Sequence, residues 1–271
     1  MTGVRCRVMT FNVRYDTEAD DENAWEHRRS LVASVIRYHA PDVVGLQEPL
    51  AHQYDYLRGH LPDYTWEGVG RVDGVADGEG EHCPLGWRNE RVARESHGTV
   101  WLSETPDAPG STYPNARKPR LVTWARVEVD GRELVVCNTH FDHESERARV
   151  RSARQLRRLA GDLGGREEGE PTTPVVVLGD FNCTPGSRPY RALTADDDTT
   201  GPRLADAVTA TTHPHHGPTA TFERFSAEPS RKIDHVLVAG DVTVRQHAII
   251  DDHWDGRPPS DHRPVVAELV L

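Results

Sequence analysis

The sequence of 271 residues lacks a long apolar run, an apolar leader and a cysteine pattern. No stretch approaches about 18 consecutive apolar residues, so we expect neither a membrane-spanning helix nor a membrane partner. The N-terminus passes from Arg5 and Arg7 directly into a strand-like segment, which predicts that there is no signal peptide. Without CxxC spacing or a disulfide framework, the cysteines are expected to be buried free thiols in a reducing compartment, the cytoplasm. They are Cys6, Cys83, Cys137 and Cys183.

An excess of positive charge is also missing. The chain has 32 Lys and Arg against 43 Asp and Glu, which gives a net charge of −11. This balance argues against a long nucleic-acid footprint held by many phosphate contacts. It does not argue against a metal site, because a divalent cation reverses the local field. Any nucleic-acid ligand is therefore expected to be short.

Short apolar strands alternate with helices along the chain, and no linker or repeat divides it, so we expect residues 1–271 to form one domain. Parallel units need crossover helices, whereas the spacing of the last strands predicts that they are joined as hairpins. This mixture predicts an α/β sandwich of mixed sheets with helices outside. Helices are predicted at 25–39 and 144–163. Strands are predicted at 4–13, 43–46, 92–102, 121–129, 133–139, 175–178, 233–238, 242–250 and 264–271.

The most informative segment is the short apolar strand 175–178, which runs into Gly179, Asp180, Phe181 and Asn182. Functional groups in α/β sheets emerge at strand ends, facing a crevice. Asp180 and Asn182 are two positions apart, so on an extended chain both side chains face the same way. Such a pair could hold a water while touching a phosphate oxygen. A strand-ending Asx turn explains the pair equally well.

Two other strand ends carry polar side chains that suit a metal site. Glu48 follows the strand 43–46, and Mg²⁺ prefers carboxylate oxygens. A carboxylate at the N-terminus of a following helix is the structural alternative for this residue. Asn12 ends the first strand in the same manner, and its structural alternative is again a turn.

Histidines and carboxylates recur at further strand ends, and the whole set is difficult to attribute to solvation alone. A single histidine is more often structural than catalytic. Polar groups at the ends of at least six apolar strands instead predict a metal and an acid/base histidine that an aspartate orients. The set comprises Asn12, Glu48, His140, Asp180, Asn182, Asp234, Asp261 and His262.

In their order along the chain these motifs resemble the signatures of the endonuclease/exonuclease/phosphatase superfamily, the group of DNase I and exonuclease III. Each motif is weak alone, but the ordered set covers the chain from residue 8 to residue 271. The motifs are Phe11-Asn12, Leu46-Gln47-Glu48, Asn138-Thr139-His140, Gly179-Asp180-Phe181-Asn182, Ile233-Asp234 and Ser260-Asp261-His262.

The resemblance implies a four-layer α/β sandwich, with two mixed β-sheets face to face and helices on both outer sides. It also implies hydrolysis of a phosphodiester or phosphomonoester that depends on Mg²⁺, with Mn²⁺ able to substitute. In this scheme Glu48 binds the metal, Asn12 lies close by, and Asp261 is a further ligand or an acceptor behind the ligands.

For catalysis, the resemblance implies that Asp180 orients or deprotonates the attacking water and that Asn182 holds the scissile phosphate. His262, paired with Asp234, stabilises or protonates the phosphoryl group. His140 is a second donor to the phosphoryl oxygens. Which of Asp180 and His262 is the base stays open. Positioning and charge neutralisation supply most of the rate in such chemistry.

One position departs from the apurinic endonucleases of this group. They carry an aromatic residue three positions before the aspartate that matches Asp234, whereas this chain has Arg231 there, followed by Lys232. An apurinic pocket is therefore not expected. The two cations would suit an additional phosphate or another anionic group, and a solvated loop pair explains them equally well.

Two more residues are candidates for substrate contacts. Arg120 closes a basic loop directly before a predicted strand, where it either clamps a substrate phosphate or belongs to a solvated loop. Phe222 either stacks on a base or packs beneath its loop.

Three functions compete at this point: hydrolysis of a small phosphoester, nuclease action on short RNA or DNA as in the deadenylases, and binding of a phosphorylated ligand without catalysis. The motif ending at His140 and the extension Arg14-Tyr15 favour the second. Competent residues at every expected catalytic position disfavour the third. No obligate protein partner is expected.

Overall fold

A computed structural model describes residues 3–167, 170–195, 201–225 and 231–271, and within these ranges the chain forms two six-stranded sheets. The first sheet contains, in spatial order, β13 (Thr243–Ile249), β14 (Val265–Val270), β1 (Arg5–Asn12), β2 (Val43–Gln47), β4 (Leu85–Arg88) and β3 (Tyr64–Glu67). The second contains β11 (Ala205–Asp206), β12 (Asp234–Ala239), β10 (Val175–Asp180), β7 (Arg132–His140), β6 (Leu121–Val129) and β5 (Val92–Trp101).

Helices connect and cover the sheets. A small ribbon pairs β8 (Arg166–Glu167) with β9 (Glu170–Pro171). The helices are α1 (Trp25–His39), α2 (Ala51–His60), α3 (Glu146–Gly164), α4 (Arg188–Thr194) and α5 (Ala207–Ala210), with a 3₁₀ segment at Glu18–Asn23.

Each sheet is mixed because its two central strands run parallel while its outer pairs run antiparallel. In the first sheet β1 and β2 are parallel, which sets Asn12 beside Gln47. In the second sheet β7 and β10 are parallel, which sets His140 beside Asp180. Antiparallel pairing of β10 with β12 then places Asp234 opposite Asp180. Strand register alone therefore collects polar strand ends at one edge of the sandwich.

Three apolar cores separate four layers, as the sequence predicts. The core between the sheets takes side chains from both, such as Val8, Val136 and Leu178. A second core joins the outer face of the second sheet to α3, for example through Val177 and Leu156. A third core lies between the first sheet and the helices α1 and α2. The predicted four-layer α/β sandwich is thus confirmed.

The helix predictions hold closely. The helix α1 has the predicted bounds, and it ends where Ala40 adopts a left-handed backbone (φ 43°) ahead of Pro41. The helix α3 begins two residues later than predicted, because Ser145 caps it by accepting a hydrogen bond from the backbone N–H of Ala148.

A polar tie joins the two sheets near the functional edge. The Asn138 side chain on β7 donates to the carbonyls of Leu46 (2.7 Å) and Pro84 (2.9 Å), and its oxygen accepts from Gln47 (2.6 Å). Gly45 makes room for it, since a Cβ there would lie 2.6 Å from the Asn138 oxygen. The asparagine therefore fixes how the two sheets meet beside the site.

The connectivity of the C-terminal strands differs from the prediction. We expected hairpins, but β12 belongs to the second sheet and β13 to the first, so the turn at Gly240 (φ 84°) changes sheets. Only β13 and β14 pair, and 15 residues, 250–264, join them. The prediction also missed several short elements with weak periodicity: α2, α4, α5, β3, β4, β8, β9 and β11. No helix in the described ranges has the length and apolar character to cross a bilayer.

Candidate active site

Asp180, at the end of β10, is the centre of the polar edge. The Asn12 side-chain amide at the end of β1 donates to Asp180 Oδ2 (3.1 Å) and to Glu48 Oε1 (2.9 Å). Its oxygen accepts the backbone N–H of Arg14 (2.9 Å), which fixes the orientation of the amide. Asn12 therefore bridges two buried carboxylates that come from opposite sheets.

Two residues of the site have left-handed backbones. Glu48 has φ 74° and Asn182 has φ 48°, a region that non-glycine residues rarely occupy. The carboxylate of Glu48 accepts the N–H of Tyr15 (3.0 Å), and Asp180 Oδ1 accepts the N–H of Asn182 (2.8 Å). These bonds aim both side chains into the site, and such strain is typical of positions selected for function.

His262 and Asp234 form a buried pair on one side of Asp180. His262 Nδ1 lies 2.9 and 3.1 Å from the two Asp234 oxygens, which leaves Nε2 3.8 Å from Asp180 Oδ2. The Thr221 hydroxyl accepts the N–H groups of Ile233 and Asp234 and holds this aspartate in place. Burial alone would lower the pKa of His262, but Asp234 and then Asp180 raise it to about 10. This imidazole is accordingly a cation at neutral pH.

His140 lies on the other side of Asp180 in a different state. The Asn182 amide donates to His140 Nε2 (3.0 Å) and to the carbonyl of Phe141 (3.0 Å), so Nε2 is an acceptor and the proton resides on Nδ1. Nδ1 faces Glu81 Oε2 at 3.7 Å. Burial, followed by the charges of nearby arginines, lowers the pKa of His140 well below its ordinary value.

The pKa of Asp180 is raised, first by burial and then by the neighbouring charge of Asp234, with a further contribution from Glu48. Asp261 is buried as well, and its Oδ2 lies 3.9 Å from Arg14 Nε. Burial and the charge of Glu48 raise the pKa of Asp261. Burial, with a smaller contribution from neighbouring carboxylates, therefore favours the protonated form of both groups.

The donor set fits a hard divalent cation. One possible ligand group is Glu48, His140 and Asp180, whose ligand atoms lie within 4.8 Å of one another. A second group with the same spacing is Asp180, Asp234 and His262. Carboxylate oxygens dominate both groups, which is the preference of Mg²⁺.

The candidate substrate contacts differ in their placement. Arg120 is buried, with Nη2 3.1 Å from His143 Nδ1. Phe222 lies against His262, with ring centroids 4.8 Å apart. Arg231 is exposed, and its guanidinium lies 5.2 Å from the centre of the Phe222 ring. Lys232, in contrast, is directed into the protein.

Lys232 belongs to a buried network behind the site. Its Nζ lies 2.7 Å from His235 Nδ1 and 3.4 Å from Asp206 Oδ2. The two cations at 231 and 232 therefore do not act together, because one is in solvent and the other is held by internal partners.

Sequence reasoning missed Glu81 and Arg71, which lie beside His140. Both come from the Gly- and Asp-rich loop between β3 and β4, where no periodicity distinguishes one acidic or basic residue from another. Arg71 Nη1 contacts Glu81 Oε2 at 2.5 Å, and Arg120 Nη1 lies 3.7 Å from the same oxygen. Only the fold of the loop brings these groups to the site.

A sandwich with this polar edge has the architecture of DNase I-like phosphoesterases, and comparison with known families agrees. The model of the Endonuclease/Exonuclease/phosphatase family matches residues 9–262, so the chain belongs to that family. The predicted resemblance is thereby confirmed.

Solved structures and curated proteins give individual relatives. The chain is similar to an endonuclease/exonuclease/phosphatase from Bacteroides vulgatus, at 35% identity over 98% of this chain and 99% of that one, with a TM-score of 0.90. A mannosyl-6-phosphatase from Bacteroides thetaiotaomicron is 29% identical over 98% and 100% of the two chains, with a TM-score of 0.87. Human tyrosyl-DNA phosphodiesterase 2 is 23% identical over 63% of this chain and 41% of that protein. The chain spans about two fifths of the length of the curated relatives it matches.

Proposed function

We propose that the protein is a hydrolase of phosphoester bonds that requires a divalent cation, Mg²⁺ or in its place Mn²⁺. The observation that carries this proposal is the environment of Asp180. Its carboxyl group is bonded to Asn12, lies 3.8 Å from the cationic His262, and is held beside Glu48 by a shared amide. A buried carboxyl with a raised pKa next to a histidine–aspartate pair is suited to proton transfer.

Glu48 would hold the cation, with Asp180 as a neighbouring ligand and with Asn12 and Asp261 close by. When bound, a divalent cation would neutralise charge on the phosphoryl oxygens and polarise the phosphorus. The Asn12 amide would keep Glu48 and Asp180 at a fixed separation. Its own oxygen is already used by Arg14, which argues for a positioning role rather than for ligation.

Asp180 and His262 would carry out different proton transfers, because their protonation states differ. Asp180, whose pKa is raised, would accept the proton of the attacking water. His262, kept protonated by Asp234, would stabilise the phosphoryl oxygens or protonate the leaving group from Nε2. The raised pKa of both groups favours this assignment over the reverse one.

Asn182 and His140 would receive the remaining oxygens. Both amide hydrogens of Asn182 already have acceptors, His140 Nε2 and the Phe141 carbonyl. A phosphoryl oxygen that binds to this amide must therefore displace one of them. Release of His140 would free its Nε2 to change tautomer and donate as well.

The relatives' names include a phosphatase and a phosphodiesterase, so they do not choose between substrate classes. A second candidate function is cleavage of short RNA or DNA. It is favoured by the position of Phe222 beside His262, because an aromatic ring at the catalytic edge is the kind of group that contacts a base. Binding without catalysis is disfavoured by the complete set of proton-transfer groups. Four buried cysteines without disulfides support action in the cytoplasm or another reducing compartment.

The test is an activity panel with Mg²⁺ and with Mn²⁺ over phosphate monoesters, phosphodiesters, short RNA and short DNA. We expect Asp180→Asn and His262→Ala each to lower kcat by at least about 100-fold. Asp241→Asn, an exposed change of the same kind, is the control and should leave kcat unchanged. Full activity in both site variants would exclude this mechanism, and inactivity of the wild type toward every ester would exclude the function.

A further inference from the structure

Two arginines from different loops are buried together beside His140. Arg71 follows β3 and Arg120 directly precedes β6, and they are 8% and 5% exposed. The backbone of Arg71 is held firmly, because its N–H donates to the Glu81 carbonyl (3.1 Å) and its carbonyl accepts the indole N–H of Trp101 (2.8 Å). One carboxylate, Glu81, faces both guanidinium groups, so the cluster has a net positive charge in a buried place.

Several N–H groups of this pair have no acceptor. Within the described part of the chain, Arg71 Nε and Arg120 Nε and Nη1 are buried without a hydrogen-bond partner. Buried donors nearly always have an acceptor, and an unmet charged donor is costly. These groups therefore indicate a place for oxygen atoms that the protein itself does not provide.

A buried arginine with a purely structural role has a different environment. Arg157 on α3 is 1% exposed, and its three nitrogens donate to the carbonyls of Pro202 (3.0 Å), Ala192 (3.2 Å) and Gly201 (2.8 Å). Its guanidinium group donates only to neutral backbone oxygens among these contacts and so stabilises a loop. Arg71 and Arg120 lack this pattern, which separates them from loop supports.

The pair is separated from the catalytic carboxylates by one imidazole ring. His140 Nδ1 lies 3.7 Å from Glu81 Oε2, and its Nε2 lies 3.5 Å from Asp180 Oδ2 and 4.0 Å from Glu48 Oε1. Positive charge therefore lies on one side of the ring and negative charge on the other. A phosphoryl group at Asp180 would be stabilised by both.

The walls around the pair are apolar and tight. Cys83, Trp101 and Leu121 form a small buried cluster there, which Val69 completes. Such walls raise the effective strength of the guanidinium charges, because water is excluded.

On these grounds, and resting on the proposed function, we propose that Arg71 and Arg120 bind the terminal oxygens of a phosphate monoester. A monoester is a dianion with three unesterified oxygens near neutral pH, whereas a diester has one charge and two such oxygens. Two guanidinium forks with a net positive charge match the monoester. A diester would place an esterified oxygen and its substituent against unmet charged donors.

The experiment compares p-nitrophenyl phosphate with bis(p-nitrophenyl) phosphate, and uses inorganic phosphate as inhibitor, for the wild type and the variants Arg120→Gln and Arg71→Gln. The control is Lys118→Gln, an exposed cation in the same loop as Arg120. We expect the wild type to prefer the monoester and to be inhibited competitively by inorganic phosphate. Each arginine variant should raise the monoester KM and the inhibition constant of phosphate by about 10- to 100-fold. The ratio of monoester to diester kcat/KM should fall by about 10-fold or more in each arginine variant and change by less than about threefold in the control.

Several results would overturn the inference. A wild type that prefers the diester, or variants that lose both activities equally, would refute the monoester assignment while leaving the proposed hydrolase intact. Absence of any hydrolysis would instead refute the proposed function. If the variants do not fold, the wild type still decides: inhibition by dimethyl phosphate as strong as that by inorganic phosphate would show that the site does not select a terminal phosphate.

Discussion

The two histidines on either side of Asp180 are equally buried, each 4% exposed, yet they are held in opposite protonation states. Nδ1 of His262 meets the Asp234 carboxylate at 2.9 Å, and the pKa of this histidine is raised to about 10. His140 instead has Glu81 at 3.7 Å, which two arginines share, and its pKa is lowered. The partner, and not the depth of burial, therefore decides which histidine is the acid and which stays neutral.

The largest effect should come from removing the negative charge that keeps His262 protonated. In Asp234→Asn the geometry around His262 is kept but the charge is lost, so the pKa of His262 should fall. We expect kcat to drop by about 1000-fold and the alkaline limb of the pH–rate profile to move to lower pH. Stopped-time assays from pH 5 to 10.5 measure both.

The matched control is Asp241→Asn, which makes the same change at an exposed position and should reproduce the wild-type profile. An unchanged alkaline limb in Asp234→Asn would show that His262 is not the group that titrates there. The two histidines would then no longer differ in the way described, because His262 would not be established as a cation.

A smaller effect is expected when His140, the neutral histidine, is replaced. His140→Gln keeps an uncharged hydrogen-bonding side chain next to Asn182, so the charge balance of the site is preserved. We expect kcat/KM to fall by about 30-fold with no movement of the alkaline limb. If this variant shifted the limb as much as Asp234→Asn does, His140 would be cationic in the working enzyme and the comparison would fail.

The residues around the cationic His262 could be predicted from the sequence, whereas most of those around the neutral His140 could not. Asp234 and His262 lie at strand ends whose apolar periodicity fixes their place, and the register of β10 and β12 sets Asp234 opposite Asp180. Glu81 and Arg71 come from an aperiodic loop, where no local pattern indicates which side chain turns inward. Local sequence periodicity determines where strands form, whereas the path of such a loop depends on its packing against the folded sheets and helices.

The fold shows the same division. Alternating apolar strands and helices predict a sandwich of mixed sheets with helices outside, and the family resemblance adds its four layers. The bounds of α1 are predicted to the residue. The transfer of the chain from β12 to a different sheet at β13 was not predicted, because a short turn with glycine is equally compatible with a hairpin. Sequence periodicity specifies which faces are buried but not which of two sheets a strand joins.

A third buried histidine sharpens the comparison, because in the described part of the chain its side chain is hydrogen-bonded to no carboxylate. His247 on β13 is 1% exposed, and its Nδ1 lies 2.8 Å from Nδ1 of His215. His215 Nε2 is 2.7 Å from the Pro218 carbonyl and must donate to it, so His247 is the donor between the rings. Burial, then the charges of Lys232 and His215, lower the pKa of His247 to about 3.

The consequence of this low pKa is acid sensitivity. The unfolded chain binds a proton at His247 near pH 6.5, whereas the folded protein does not until about pH 3. The stabilisation from the neutral ring is therefore complete above pH 6.5 and is lost progressively as the pH falls toward 3. At pH 5.5, one pH unit below the unfolded pKa, the loss amounts to about 1 kcal/mol.

His247→Gln should accordingly flatten the pH dependence of the free energy of unfolding, even though it lowers stability at pH 8 by removing the bond to His215. Urea unfolding at pH 8 and pH 5.5 measures the difference, which should be about 1 kcal/mol smaller in the variant than in the wild type. His27→Gln, an exposed change of the same type, should leave that difference unaltered. An equal pH dependence in wild type and His247→Gln would mean that burial without a charged partner does not keep a histidine neutral in this fold. The neutral state of His140 would then have to be attributed to Arg71 and Arg120 alone.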